Sequence, residues 1–269
     1  MARFICVQCG IQYPDSDAPP ARCIICDEER QYVRWTGQAW TTLSDLAASH
    51  ALRFADEGEG VTGIAMTPAF AINQRALLVQ SKAGNVLWDC ITVLTPDAAD
   101  EIKRRGGIAA IAISHPHYYT TMLEWSAAFG GVPVYIHADD RQWAPRTGPE
   151  IVHWTGETLA LNDEMTLVRC GGHFDGGTVM HWSGAPTGKG ALFAGDIVQV
   201  VQDRRHVSFM YSYPNYIPLN ATKVRRIADA LAPYAFDDIY GAFLNLDVKG
   251  GGRQAFDASV DRYLKAIAG

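Results

Sequence analysis

Residues 113–122 read ISHPHYYTTM, entered from the apolar run GIAAIAI at 107–113. A buried strand that ends in His115-Pro-His117 and two tyrosines serves either a metal site or a satisfied polar turn. The other strand ends bear on which. His173 lies in RCGGHFDGG (169–177), where an apolar strand opens into a glycine-rich turn, and Asp196 lies in LFAGDIVQ (192–199), where another strand ends in Gly and a carboxylate. The remaining histidines, His50, His137, His153, His181 and His206, stand singly and suit hydrogen-bonded structural roles. Four candidate ligands at three strand ends form a pattern, because a sheet holds such residues rigidly while they project into a common mouth.

Working outward, VTGIAMTP, RALLVQS and GNVLWD read as strands from residue 60 on. PDAADEIKRRGG then reads as a helix begun by Pro and closed by Gly. A buried strand, a helix over TTMLEWSAAFGG, the strand VPVYIHA and a short helix over ADDRQWAPR follow. The second half begins with the strands IVHWT, ETLAL, MTLVRC, GTVMHWSG and KGALFAG. It ends with helices around PLNATKVRRIADALAP and RQAFDASVDRYLKAIA that flank the strand DDIYGAF. An α+β domain with two mixed sheets covered by helices is expected over 60–269, preceded by a linker and short helix over 36–59.

Residues 1–35 are different in kind. Cys6, Cys9, Cys23 and Cys26 form CVQC and CIIC, two Cys-x-x-Cys knuckles joined by a short loop, whereas Cys90 and Cys170 stand alone in apparent strands. Two such pairs complete a tetrahedral sulfur shell for zinc or a single iron, closed to substrate and therefore structural. The knuckles resemble a rubredoxin or zinc ribbon. Asp27 stands where rubredoxin has glycine, which favours zinc over redox iron.

Composition removes whole classes of function. The 269 residues are 48% hydrophobic and 19% charged with a net charge of −6, enough apolar material for one large core and no basic field for nucleic acid. No segment has the apolar length to span a bilayer, and the opening MARFICVQCG has no apolar leader, so a cytoplasmic protein is expected. The chain leaves a homo-oligomer open.

HPHYYT at 115–120, GGH at 171–173 and GD at 195–196, after a strand ending in Asp89, resemble the metal-binding series of the metallo-β-lactamase superfamily. The resemblance implies a four-layer αββα sandwich with the metal site at the sheet edge. The family pattern His-x-His-x-Asp-His is broken at Tyr119 and Thr120, and its late histidine falls at Phe243, so the second metal site is dismantled. What remains implies one catalytic ion, zinc, held by His115, His117 and His173. Asp196 serves as fourth ligand or base, Asp89 and Thr120 stand behind the ligands, and iron is an alternative filling at either metal site.

Three neutral imidazoles leave zinc its full charge, which lowers the pKa of bound water from above ~15 to about 7 and supplies hydroxide as nucleophile. Asp196 is expected to hold that hydroxide, and Tyr118 or Tyr119 to donate to charge on the substrate. Phe209, Met210, Tyr211, Tyr213 and Tyr216, with Phe243, Trp125 and Trp143, are expected to wall a pocket for a small substrate with an apolar group. Superfamily members with a ribbon and a degenerate HxHxYT motif are similar to isothiocyanate hydrolases. Thioester, ester or lactone hydrolysis, a persulfide-dioxygenase-type iron oxygenase and a non-catalytic binding protein are the alternatives.

Overall fold

A computed structural model describes residues 1–268. The N-terminal unit is a three-stranded sheet of β1 (Ala2–Cys6), β2 (Gln12–Ser16) and β3 (Trp40–Thr41), ordered β2-β1-β3, followed by the short helix α1 (Leu43–Ala47). Next come β4 (Ala51–Gly58), β5 (Val61–Thr67), β6 (Ala76–Val79), β7 (Val86–Trp88), α2 (Pro96–Arg104), β8 (Ala110–Ala112), α3 (Met122–Ala128), β9 (Val134–His137) and β10 (Ile151–Trp154). These strands make a seven-stranded sheet in the order β10-β9-β8-β7-β6-β5-β4. It is antiparallel from β4 to β7 and parallel from β7 to β10.

After β11 (Thr158–Ala160), β12 (Met165–Arg169), β13 (Thr178–Trp182) and β14 (Ala191–Gly195) come two short strand pairs: β15 (Gln199–Val200) with β16 (Val207–Ser208), and β17 (Met210–Ser212) with β18 (Ile217–Pro218). Helix α4 (Ala221–Leu231), β19 (Asp238–Gly241), β20 (Asp247–Val248) and α5 (Gly252–Ile267) complete the chain. The second sheet runs β11-β12-β13-β14-β19-β20.

Side-chain alternation turns the two sheets into four layers. On β6, Leu77 and Val79 face a core shared with Leu167, Met180 and Phe193 of the second sheet, whereas Ala76 and Leu78 face the opposite way, toward Trp125 of α3 and the four ribbon cysteines. A third core packs Val168, Val179 and Leu192 against Val224 and Ile227 of α4 and Phe256 of α5. The helices are bounded by the expected signals: the Thr95 hydroxyl accepts from Ala98 N ahead of Pro96, and Asn220 accepts from Lys223 N.

Several expectations are corrected or refined. The stretch 36–59 is more than a linker, since Trp40–Thr41 pairs with β1 and Ala51–Gly58 is the edge strand of the large sheet, with Leu52 and Phe54 packed on its core. Residues 138–143 form the expected short helix, of the 3₁₀ type, and the 207–218 stretch read as a loop contains β16, which pairs back to β15, and the pair β17–β18, whose Tyr, Pro and Asn residues masked the pairing. Trp125 and Phe209 are fully buried core residues. Trp125 Nε1 donates to Ile91 O at 2.7 Å, and Phe209 packs on Phe256 and Tyr263, so neither lines a pocket. No helix is long and apolar enough to cross a membrane among the described residues.

Candidate metal centres

Every candidate ligand of the main domain sits just beyond the C-terminal end of a strand: Asp89 after β7, His115 and His117 after β8, His173 after β12 and Asp196 after β14. The fold gathers His115, His117, His173 and Asp196 so that one donor atom from each lies within 4.8 Å of the other three. His115 Nε2 is 3.5 Å from Asp196 Oδ2, and His117 Nδ1 is 3.4 Å from His173 Nε2. The three imidazole centres are 5.0 to 5.2 Å apart, and all four residues are buried.

Burial decides the charge of the rings. It pushes His117 well below the ordinary imidazole range and His173 to about 3, with the neighbouring His115 adding to both shifts. Two neutral imidazole nitrogens 3.4 Å apart need a shared proton or a cation between them. His115 Nε2 and His117 Nε2 are moreover buried without any hydrogen-bond partner among the described residues. An unpaired His115 Nε2 beside a carboxylate, with the donor atoms of His117 and His173 in the same cluster, is costly unless a cation joins them, so the donor set fits a metal ion.

Residues behind the ligands fix their orientation. Asp89, held at φ 61°, accepts from Ser114 N at 2.7 Å, and Ser114 Oγ is 2.9 Å from His115 Nδ1. Burial raises the Asp89 carboxyl well above the usual range, opposed by its bonds to Ser114. A proton on His115 Nδ1 shared with Ser114 leaves Nε2 as the free lone pair. His173 Nδ1 donates to Met210 O at 3.2 Å, Gln74 Nε2 to His117 O at 2.7 Å, and the Tyr213 hydroxyl to Asp196 O at 2.9 Å. The main chain at Gly195 makes a close approach: with φ +51°, a Cβ there would lie 2.5 Å from Ser114 Oγ, so glycine lets β14 deliver Asp196 against the β8 end.

Several expected site residues are placed elsewhere. Tyr118 is buried beside His115, ring centres 5.3 Å apart, but its hydroxyl donates to Ala242 O at 3.2 Å, so the donor role expected toward substrate is already taken. Tyr119 is buried in the core that includes the ribbon cysteines, and the charge acting on its phenol is that of Asp140. Thr120 lies under the ribbon, its carbonyl accepting from Gln12 N at 3.1 Å, which removes it from behind the ligands. Phe243 packs on the same core as Tyr119, and Tyr216 is 85% exposed. Of the expected pocket residues, Met210, Tyr211 and Tyr213 stay near His173, with the Tyr213 ring 5.5 Å away.

Sequence reading missed Ser114, Phe174, Glu28 and Arg30. Phe174 sits 5.1 to 5.6 Å from all three imidazole centres, and Arg30 stacks on Phe174 at 3.8 Å. The only signal for Ser114 and Phe174 was adjacency to His115 and His173.

The second cluster is formed by the four ribbon cysteines, all buried and free of disulfides. Their sulfurs pair at 3.6 Å, Cys6 with Cys26 and Cys9 with Cys23, close to the roughly 3.8 Å edge of a tetrahedron with bonds of about 2.3 Å. Gln38 Nε2 points to Cys6 Sγ at 3.2 Å, as a donor to a thiolate does.

No family model matches the chain. It is 47% identical over 269 residues to the uncharacterized protein YmaE of Bacillus subtilis, covering 99% of this chain and 97% of that protein. Among solved structures, the fold is similar to VMB-1 (14% identity, TM-score 0.58, 81% of this chain and 98% of that one). It is also similar to the metallo-β-lactamase FIM-1 from Pseudomonas aeruginosa in its mono-zinc form (19% identity, TM-score 0.56, 81% and 97%). A B3 metallo-β-lactamase with an active-site glutamic acid aligns at 16% identity and TM-score 0.55 over 80% and 90%. With the near full-length match to YmaE and the shared sandwich, the chain belongs to the YmaE family and has the metallo-β-lactamase fold.

Proposed function

We propose that the chain is a mononuclear metal-dependent hydrolase, with zinc at the His115, His117, His173 and Asp196 cluster and a second, structural zinc at the four ribbon cysteines. The observation that carries this reading is the buried, unpartnered His115 Nε2 at 3.5 Å from Asp196 Oδ2, with His117 Nδ1 and His173 Nε2 3.4 Å apart in the same cluster. Tyr119, Thr120 and Phe243, at the positions of the family's second site, face the core or the ribbon, which favours one ion over two. When bound, the zinc supplies Lewis acidity and an acidified water at neutral pH.

The chain's own residues do the rest. Ser114 and Asp89 keep the His115 proton on Nδ1, and Met210 O keeps the His173 proton on its Nδ1. Asp196 is the most exposed of the four, 8% against 4% for His117 and 1% for His115 and His173, so it is the group placed to accept a proton as water adds to substrate. Tyr213 fixes its main chain. Phe174 covers the imidazoles and keeps bulk water off them.

Substrate is a small electrophile with an apolar group, an isothiocyanate first. Phe174, Trp143 and Tyr211 cluster beside the histidines and suit such a group. The reaction adds water to the central carbon of R–N=C=S and releases R–NH₂ and carbonyl sulfide. Zinc-loaded protein is expected to hydrolyse aryl or alkyl isothiocyanates, and Asp196→Asn to lose at least roughly 100-fold in rate. A fully metallated protein that turned over no isothiocyanate, thioester, ester or lactone would sink the hydrolase reading. Oxygen uptake with iron in the same shell would point to the oxygenase alternative.

A further inference from the structure

The N-terminal unit reaches the His/Asp cluster through Arg30 and Glu28, which pair with each other within that unit. Leaving the second knuckle, Asp27 N donates to Cys23 O at 3.0 Å, and Glu28 Oε2 then accepts from both Arg30 N (2.8 Å) and Arg30 Nε (2.7 Å). Arg30, only 9% exposed, lays its guanidinium 3.8 Å from the Phe174 ring centre and donates from Nη1 to His173 O at 3.2 Å. On the other flank, the Tyr211 hydroxyl donates to Glu28 Oε1 at 3.3 Å, next to Met210, whose carbonyl holds His173 Nδ1. Asn215 closes the frame by donating to Glu29 O and Gln31 O.

His173 needs such a frame. Its loop contains Gly171, Gly172, Gly176 and Gly177, the first two at positive φ, and such a backbone has little stiffness of its own. An ion pair that served only the 28–31 turn would need no aim at the His173 carbonyl. This one, with Arg30 buried and Glu28 half-buried, holds the His173 main chain on one side and, on the other, Tyr211, the neighbour of the Met210 carbonyl that accepts from the ring. Glu28 also cancels the charge of Arg30, so the guanidinium does not repel a cation among the imidazoles.

We propose that Glu28 and Arg30 are positioning residues for His173, and that occupancy of the four-cysteine site thereby sets the metal affinity of the His/Asp site. The inference rests on reading both clusters as metal sites. With the cysteines empty, the second knuckle loses its staple, and the 28–31 turn that follows it loses the anchor that lets it hold His173.

Zinc titration of the full-length apoprotein against a chromophoric chelator tests this. The wild type is expected to show two affinity classes. Arg30→Met should weaken the His/Asp class roughly tenfold or more, leaving the cysteine class and the unfolding midpoint unchanged, a split that a purely structural ion pair would not produce. Glu28→Gln should weaken the same class by less, and a Cys23→Ser, Cys26→Ser double variant should weaken it along with loss of the cysteine class. Two classes in the wild type with unaltered His/Asp affinity in Arg30→Met would overturn the inference alone. A wild type that takes no ion at the His/Asp cluster would overturn the metal reading beneath it.

Discussion

His115 can act as a ligand through Nε2 only when its proton sits on Nδ1, and Ser114 with Asp89 behind it sets that tautomer. Ser114→Ala removes the acceptor and is expected to weaken metal binding about 10- to 100-fold without unfolding the chain, as read by chelator competition. Asp140 makes a separate, pH-dependent statement. Its buried carboxyl accepts from Gly176 N at 2.9 Å, and burial still pushes it up to about 7. The folded chain therefore keeps a proton that the unfolded chain has lost above about pH 4. That stabilisation is fully present below the unfolded value and disappears as pH rises through about 7. Asp140→Asn, which keeps an acceptor for Gly176, should gain on the wild type by on the order of 2 kcal/mol between about pH 5 and pH 8 in urea unfolding. An unchanged difference across that range would mean that Asp140 titrates normally.

At the scale of elements, the site is a property of strand ends. β8, β12 and β14 stop within a few residues of the candidate ligands and β7 stops at Asp89 behind them, and the close contact of Gly195 with Ser114 brings the two sheets together at that edge. Gly195→Ala places a methyl where Ser114 Oγ already lies and asks a non-glycine residue to hold φ +51°. It is expected to cost about 1 to 3 kcal/mol in denaturant unfolding and to displace Asp196 enough to lose metal. The clustering of His115, His117, His173 and Asp196 was legible in sequence because a site for a metal asks for His and Asp at the ends of apolar runs, and that demand leaves a mark at each position. Arg30 and Glu28 left none: they act on His173 through main-chain atoms and a neighbouring residue, and 143 residues separate Arg30 from that carbonyl. Aromatic richness misled at Phe209 and Trp125, because a core and a pocket wall ask for the same residue types.

Across the whole molecule, two polar anchors join parts that are distant in sequence. One is the ribbon's hold on His173; the other is Arg75, buried between the sheets, which pairs with Glu57 of β4 at 2.8 Å and with Asp247 of β20 and donates to Gly241 O at 2.9 Å. Asp247→Ala leaves that guanidinium half-paired in the interior and is expected to cost about 3 to 5 kcal/mol in denaturant unfolding. The layered architecture was readable from the order of apolar runs. The edge strand Ala51–Gly58 was not, since its short alternation of half-buried residues looks like a connection until β5 is beside it. The most direct measurement is metal content by mass spectrometry, on the purified wild type and on a His115→Ala, His117→Ala double variant. Two zinc ions per chain, falling to one in the variant, is the result expected of a structural ion at the four cysteines and a separate site built by the histidines. A metal content that the double variant leaves unchanged would contradict a metal at His115 and His117, and with it the hydrolase.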